Sequence, residues 1–208
     1  MTATESPRSV KRLASPAATA LADLAAIFED LQTTLMCCER LVGALASPRP
    51  DDVTVEALWT TALISYTRCF APGARGMGLR EEDVSALEIQ GDVLEWHRMV
   101  RNLKKHFADP ATNPREFFGV GIAVSDGRPS GVAITSTRQA RVDEQTVRQT
   151  GAIAYALSER VDKKIGEHQA TVLAGAEKLS AAELRTLDDV DLTDEGASGD
   201  APAAGSTA

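Results

Sequence analysis

"AATALADLAAIFEDLQTTLMCCERLVGAL", residues 17–45, carries apolar side chains at Leu21, Leu24, Ile27, Phe28, Leu31, Leu35, Cys38, Leu41, Val42 and Leu45. Steps of three and four residues put them on one face of a long amphipathic α-helix. A helix with so continuous an apolar stripe needs elements lying alongside it, so a helical bundle is the expected frame. The composition agrees. Of 208 residues, 43% are hydrophobic but only 4% aromatic, and a core of Ala, Leu, Val and Ile suits closely packed helices.

Outward from this helix, "SPRPDD" (47–52) ends it, and "VTVEALWTTALISYTRCF" (53–70) reads as a second helix. "APGARGMGLREED" is a Gly-rich turn into a third helical region, in which Gly91 separates a short piece (81–89) from a longer one (92–107). "FFGVGIAVSDGRPSGVAITSTRQ" then changes character. Two β-branched runs, 117–124 and 132–137, flank "SDGRPSG", whose Asp-Gly is a hairpin-turn signature. A last long helix starts at about Asp143, and Ser180 with Glu183 forms a capping box for a final short one. The fold expected is mainly α: an up-and-down bundle of about four main helices with an inserted β-hairpin at about 117–137 and disordered termini. The domain spans 16–187, after a flexible segment at 1–15 and before an acidic disordered tail at 188–208. An isolated two-stranded hairpin is marginal, so it is expected to lean on the bundle or on a partner.

The net charge is −8, but six acidic residues and no Lys or Arg lie from Asp188 onward. Setting those six charges aside leaves −2 for residues 1–187, a nearly neutral domain that can carry local basic patches. The three cysteines, Cys37, Cys38 and Cys69, have neither the number nor the spacing of a disulfide framework or a zinc site. They read as buried structural thiols. No metal or cofactor is expected. Neither a signal peptide nor an apolar stretch of membrane-spanning length is present, so a cytoplasmic protein with no membrane partner is expected.

On a helical wheel of residues 92–107, Val93, Trp96, Val100, Leu103 and Phe107 share one stripe, the expected core face. Arg101 falls about 120° to one side of its centre and His106 about 100° to the other. Arg98, Asn102 and Lys105 lie between them on the outer face. Cations near a helix end also complement the macrodipole without any ligand, which is the plainest account of this face. His97, beside the stripe, and His168, in a Lys/Glu-rich helix, have no partners at metal-ligand spacing and read as structural; Trp59 and Trp96 read as core. "GVGIAV" runs into a turn and strand rather than a helix, which argues against a dinucleotide site, and "PGARGMG" lacks the Lys-Ser/Thr of a phosphate loop.

"RNLKKHFAD" (101–109) resembles the Arg-x4–6-His signature of HEPN domains, small helical-bundle proteins of prokaryotic toxin–antitoxin and defence systems. As in that family, a polar residue, Asn102, follows the Arg, and a small and a polar residue, Ala108 and Asp109, follow soon after the His. "ALISYTRCF" with its Gly/Arg turn, the hairpin and the long final helix are similar to one HEPN-like group, so the resemblance spans roughly residues 17–175. The chain departs from the pattern at Lys105, where the best-matching members have a small apolar residue. The resemblance implies a metal-independent ribonuclease or toxin-type effector. Arg101 would fork onto the RNA phosphate. His106 would move the 2′-hydroxyl proton. Asn102 would position one or the other, and Arg98, Lys104 and Lys105 would add phosphate attraction. One helix offers one Arg and one His, so a homodimer pairing two such faces is the natural assembly. An antitoxin or a nucleotidyltransferase is the kind of partner implied. Some HEPN domains only bind, so the alternative is a non-catalytic interaction or regulatory module of a two-protein system.

Overall fold

The computed structural model describes residues 10–71, 75–107, 116–138 and 141–190, with side chains described for all of these but 104–107, 116, 117 and 138. The described elements are α1 (Pro16–Leu45), α2 (Asp52–Arg68), α3 (Glu81–Ser85), α4 (Val93–Phe107), β1 (Glu116–Ser125), β2 (Arg128–Arg138), α5 (Glu144–Ala176) and α6 (Ala181–Thr186). The chain is thus mainly helical with one antiparallel hairpin, as its patterning indicates.

Helix starts lie where short polar side chains can satisfy free backbone N–H groups. Ser15 accepts from the Ala18 N–H at 3.1 Å, Asp51 from Thr54 at 3.0 Å, Asp92 from Glu95 at 2.8 Å and Asp143 from Thr146 at 2.8 Å. The Ser180–Glu183 capping box closes in both directions, with Ser180 N–H donating to Glu183 at 2.7 Å and Glu183 N–H donating to Ser180 Oγ at 3.2 Å. α1 packs against both α2 and α5, while α4 lies on α2 and α3. The core gathers Leu24, Ile27, Leu31 and Leu41 of α1, Ala62, Leu63 and Tyr66 of α2, and Val147, Ile153 and Leu157 of α5. α5 passes close to α1 at Gly151, where an added Cβ would just touch the Cys38 Cβ at 3.4 Å. All three cysteines are buried and free, and burial pushes the Cys38 and Cys69 thiols up to about 12.

Two carboxylates of α1 hold the connector between α2 and α3. Asp23 accepts the Gly76 and Met77 N–H groups at 2.9 and 3.1 Å. Asp30, only 7% exposed, binds Arg75 at 2.8 Å and Arg68 at 3.2 Å. The Gly-rich turn is therefore fastened to the bundle by these two carboxylates. In front of α4, Gly91 takes φ +100°, a conformation side chains resist, and this makes the break between α3 and α4.

The hairpin turns on Asp126 (φ 50°) and Gly127 (φ 76°), both left-handed as a two-residue primed turn requires. Its strands are longer than the flanking runs suggested. Arg128, Pro129 and Ser130, expected in the loop, belong to β2, and Val124 pairs with Pro129 across an irregularity next to Ala123. A bulge is where a strand tolerates proline's missing N–H. Every described side chain from Phe118 to Thr137 is exposed, so none of the described helices covers either face of the hairpin.

Parts of the two segments expected to be loose meet each other. Lys11 forms a bridge with Asp189, their side chains pair at 2.8 Å, and Arg12 N–H donates to the Asp188 carbonyl at 2.8 Å. Residues 1–9 and 191–208, which hold the rest of the expected flexible ends, lie outside the described residues. Among the described residues no helix is long and apolar enough to cross a membrane.

Removing one side of a buried ion pair strands the other, so Asp30→Ala should cost about 3–5 kcal/mol. For a domain of this size that is a fall in Tm on the order of 10 °C. Thermal unfolding by circular dichroism checks this; a loss under about 1 kcal/mol would mean that the turn is held without Asp30, by the Asp23 contacts to Gly76 and Met77.

Candidate functional site

The polar face of α4 is positioned by what its opposite side buries. Val93, His97 and Val100, at helical spacing, are all buried, His97 completely so. Trp96 and Leu103 pack more loosely at the core's edge. The stripe centred on Trp96 and Val100 in the sequence is therefore turned by about 45° toward Arg101. The cause is His97. Its Nδ1 lies 2.8 Å from the Tyr66 hydroxyl of α2, and its ring packs on Phe70 with centroids 4.3 Å apart.

The proton arrangement follows from counting partners. If Tyr66 donates to Nδ1, only the His97 Nε2–H is left without a described partner; the reverse donation would leave both the Tyr66 O–H and the Nε2 lone pair unmatched. Burial pushes the Tyr66 phenol well above its ordinary range, so it stays protonated and able to donate. Burial likewise lowers His97 to about 4, aided by the Arg101 cation one turn away and opposed by Glu81. His97 is a neutral anchor, in keeping with its reading as structural.

Arg101 and Asn102 follow that anchor and are both exposed. Arg101 makes no hydrogen bond or ion pair with a described residue, yet its charge is felt at Tyr66, His97 and Glu81. It stands on the shoulder of the core rather than far out on the polar face. Arg98 is committed otherwise: its Nη2 and Nε donate to Glu81 at 2.8 and 3.3 Å, which ties α4 to the start of α3 and keeps the Glu81 carboxyl below its usual range. This pair is exposed to solvent, so it is screened and can be exchanged for a phosphate.

Lys104, Lys105 and His106 belong to α4, but their side chains lie outside the described residues, as do Ala108 and Asp109 altogether. The helix places His106 one turn beyond Asn102. The structure thus brings Arg98 and Arg101 near Glu81 along the middle of α4, with Asn102 exposed next to Arg101 in the chain. What the sequence did not reveal is the Tyr66–His97 pair beneath them. Its only sign was a histidine four residues before Arg101 at the stripe's edge. Elsewhere, His168 Nδ1 lies 2.9 Å from its own helix's Lys164 carbonyl, a local contact.

No family model matches the chain, and neither the curated proteins nor the solved structures compared with it yield a match.

Unfolding restores His97 to its ordinary value of 6.5, so as pH falls below 6.5 the unfolded chain takes up the proton first. The stability due to a neutral His97 is whole above pH 6.5 and drains away down to about 4. The total is roughly 3 kcal/mol. Urea midpoints for wild type and His97→Asn between pH 7.5 and 4.5 should converge toward the acid end. Parallel curves would show that His97 does not titrate this way.

Proposed function

We propose that this chain is a metal-independent endoribonuclease of toxin-effector type, working at a cleft between two copies. The single observation that carries the reading is Arg101: an exposed guanidinium, uncommitted among described residues, at the first position of an Arg-x4-His motif. The anchor beneath it supports the same reading, since Tyr66 and His97 fix the helix from which Arg101 and Asn102 project.

The chemistry needs few parts because RNA brings its own nucleophile. His106 takes the proton of the 2′-hydroxyl as that oxygen attacks the adjacent phosphorus. Arg101 forks onto the non-bridging oxygens and balances the charge growing there. The bond to the 5′-oxygen breaks, and this oxygen takes a proton from a second acid, for which a dimer offers the other copy's imidazole. The products are a 2′,3′-cyclic phosphate and a 5′-hydroxyl. Asn102 holds substrate or imidazole in line, while Lys104, Lys105 and an Arg98 released from Glu81 draw the backbone in. An antitoxin or nucleotidyltransferase neighbour would be the natural regulator of such an activity.

The exposed hairpin favours a second reading, a non-catalytic interaction or regulatory module of a two-protein system. The two readings separate on purified protein. With single-stranded RNA and excess chelator, wild type should cut, and Arg101→Ala and His106→Ala should each lose on the order of 100-fold or more in rate. Far-ultraviolet circular dichroism should stay unchanged for Arg101→Ala, whose side chain is exposed. Wild type that leaves RNA intact, or variants as active as wild type, would favour the module.

A further inference from the structure

The hairpin shows two unequal faces. Pairing of Val120 with Ile134 and of Ile122 with Val132 places these four on one face, together with Phe118 and Val124. All six are between 61% and 74% exposed. The other face carries Gly119, Gly121, Ala123, Gly131 and Ala133, which have little side chain to bury, together with Thr135 and Thr137. Such alternation is what a strand shows when one face is covered. Yet the strands run 10 and 11 residues, at the upper end of common lengths, with nothing described above them.

We propose that this face is covered by the same face of a second copy, the two hairpins stacking as a two-layer sandwich about a twofold axis. The axis would pass between the Val120–Ile134 and Ile122–Val132 pairs. Area favours this occupant. Six residues of these sizes and exposures offer at most roughly 600 Å² per copy, about 1,200 Å² in the pair when fully covered, the lower edge of the range of specific interfaces. Shape favours it too. The bulky Phe118 lies toward the open end and the smaller Val124 and Pro129 toward the turn, so an antiparallel twofold sets large against small at both ends. Four of the central side chains are β-branched and stiff, and lose little freedom on packing.

Charge points away from other occupants. Residues 118–124 and 131–136 contain no Asp, Glu, Lys or Arg, so a nucleic acid or charged peptide would find nothing to pair with. A lipid surface would meet the turn first, and the turn carries Asp126 and Arg128 with no aromatic side chain, the opposite of a membrane-dipping tip. Face-to-face pairing of two copies leaves those charges at the rim, in water. The inference is independent of the ribonuclease reading and would hold equally for a non-catalytic module.

Sedimentation velocity of the full chain tests it. Wild type should be dimeric at micromolar concentration, and Val120→Lys with Ile134→Lys should raise the dimer dissociation constant on the order of 100-fold or more. The variant's helical signal should be unchanged, since both side chains are exposed in the protomer. As a gain-of-signal control, Ile122→Cys should be joined to its copy by a bis-maleimide reagent of about 10 Å reach, the spacing of stacked sheets, whereas Ala133→Cys on the opposite face should not; the native cysteines are buried. A monomeric wild type, a dimer indifferent to the double substitution, or hairpin-dependent flotation with phosphatidylcholine vesicles would each overturn the proposal.

Discussion

The hydrogen bond between Tyr66 and His97 decides which side of α4 meets water, and the candidate site follows from that decision. An aliphatic side chain at position 97 would leave the helix free to settle on the apolar stripe that runs through Trp96 and Val100. An imidazole cannot be buried without a partner, and the one it finds lies on α2, 2.8 Å away. Satisfying it turns the helix, admits Trp96 only to the core's edge and brings Arg101 onto the shoulder. One cost persists, since Nε2 is buried with no described partner, as is the Trp96 indole nitrogen. Each such group opposes folding by about 1–3 kcal/mol, so the arrangement is held by what surrounds it: Phe70 on the ring face and Val93 and Val100 in the core.

This explains where the sequence was legible and where it was not. Period and caps are local properties, so α1, α2, α5 and the Ser180–Glu183 box could all be read from their own residues. The Asp-Gly turn was visible for the same reason. The start of the second strand was not, because Pro129 reads as a loop until a bulge is known to receive it. His97 and Tyr66 stand 31 residues apart, and nothing in either helix announces the other. A wheel built from apolar residues alone treats a histidine as neutral ground, so it misplaced the stripe's centre by about 45°. The same limit hid the clamp from Asp23 and Asp30, which look like solvent-side carboxylates until the Gly-rich turn folds back on them.

The rotation bears on what Arg101 can do. A guanidinium far out on a solvated face is a mobile point charge, whereas one on the shoulder, beside the Tyr66–His97 pair and within the field of Glu81, has its backbone fixed by the core one turn earlier. That is the better platform for recognising a phosphate, because the helix need not reorganise when the anion arrives. The nearly neutral charge of residues 1–187 leaves such a local patch effective, with no strong opposing field from the domain as a whole.

The two surfaces singled out, the α4 shoulder and the hairpin, stand in a definite physical relation. Two α4 faces brought together about a twofold axis set cation against cation, and without an anion between them they repel. In the proposed dimer, the force that would hold two copies together must therefore come from elsewhere. Among the described residues the hairpin is the surface suited to it: apolar, uncharged and self-complementary. A closed dimer allows only one twofold axis, so any pairing of the α4 faces must share the axis that relates the hairpins; separate axes would propagate into an open chain of molecules. On this logic the hairpins would supply affinity and the α4 faces selectivity. On the proposed ribonuclease reading, a polyanion would be the partner that turns the repulsion between the two Arg101 groups into attraction for itself.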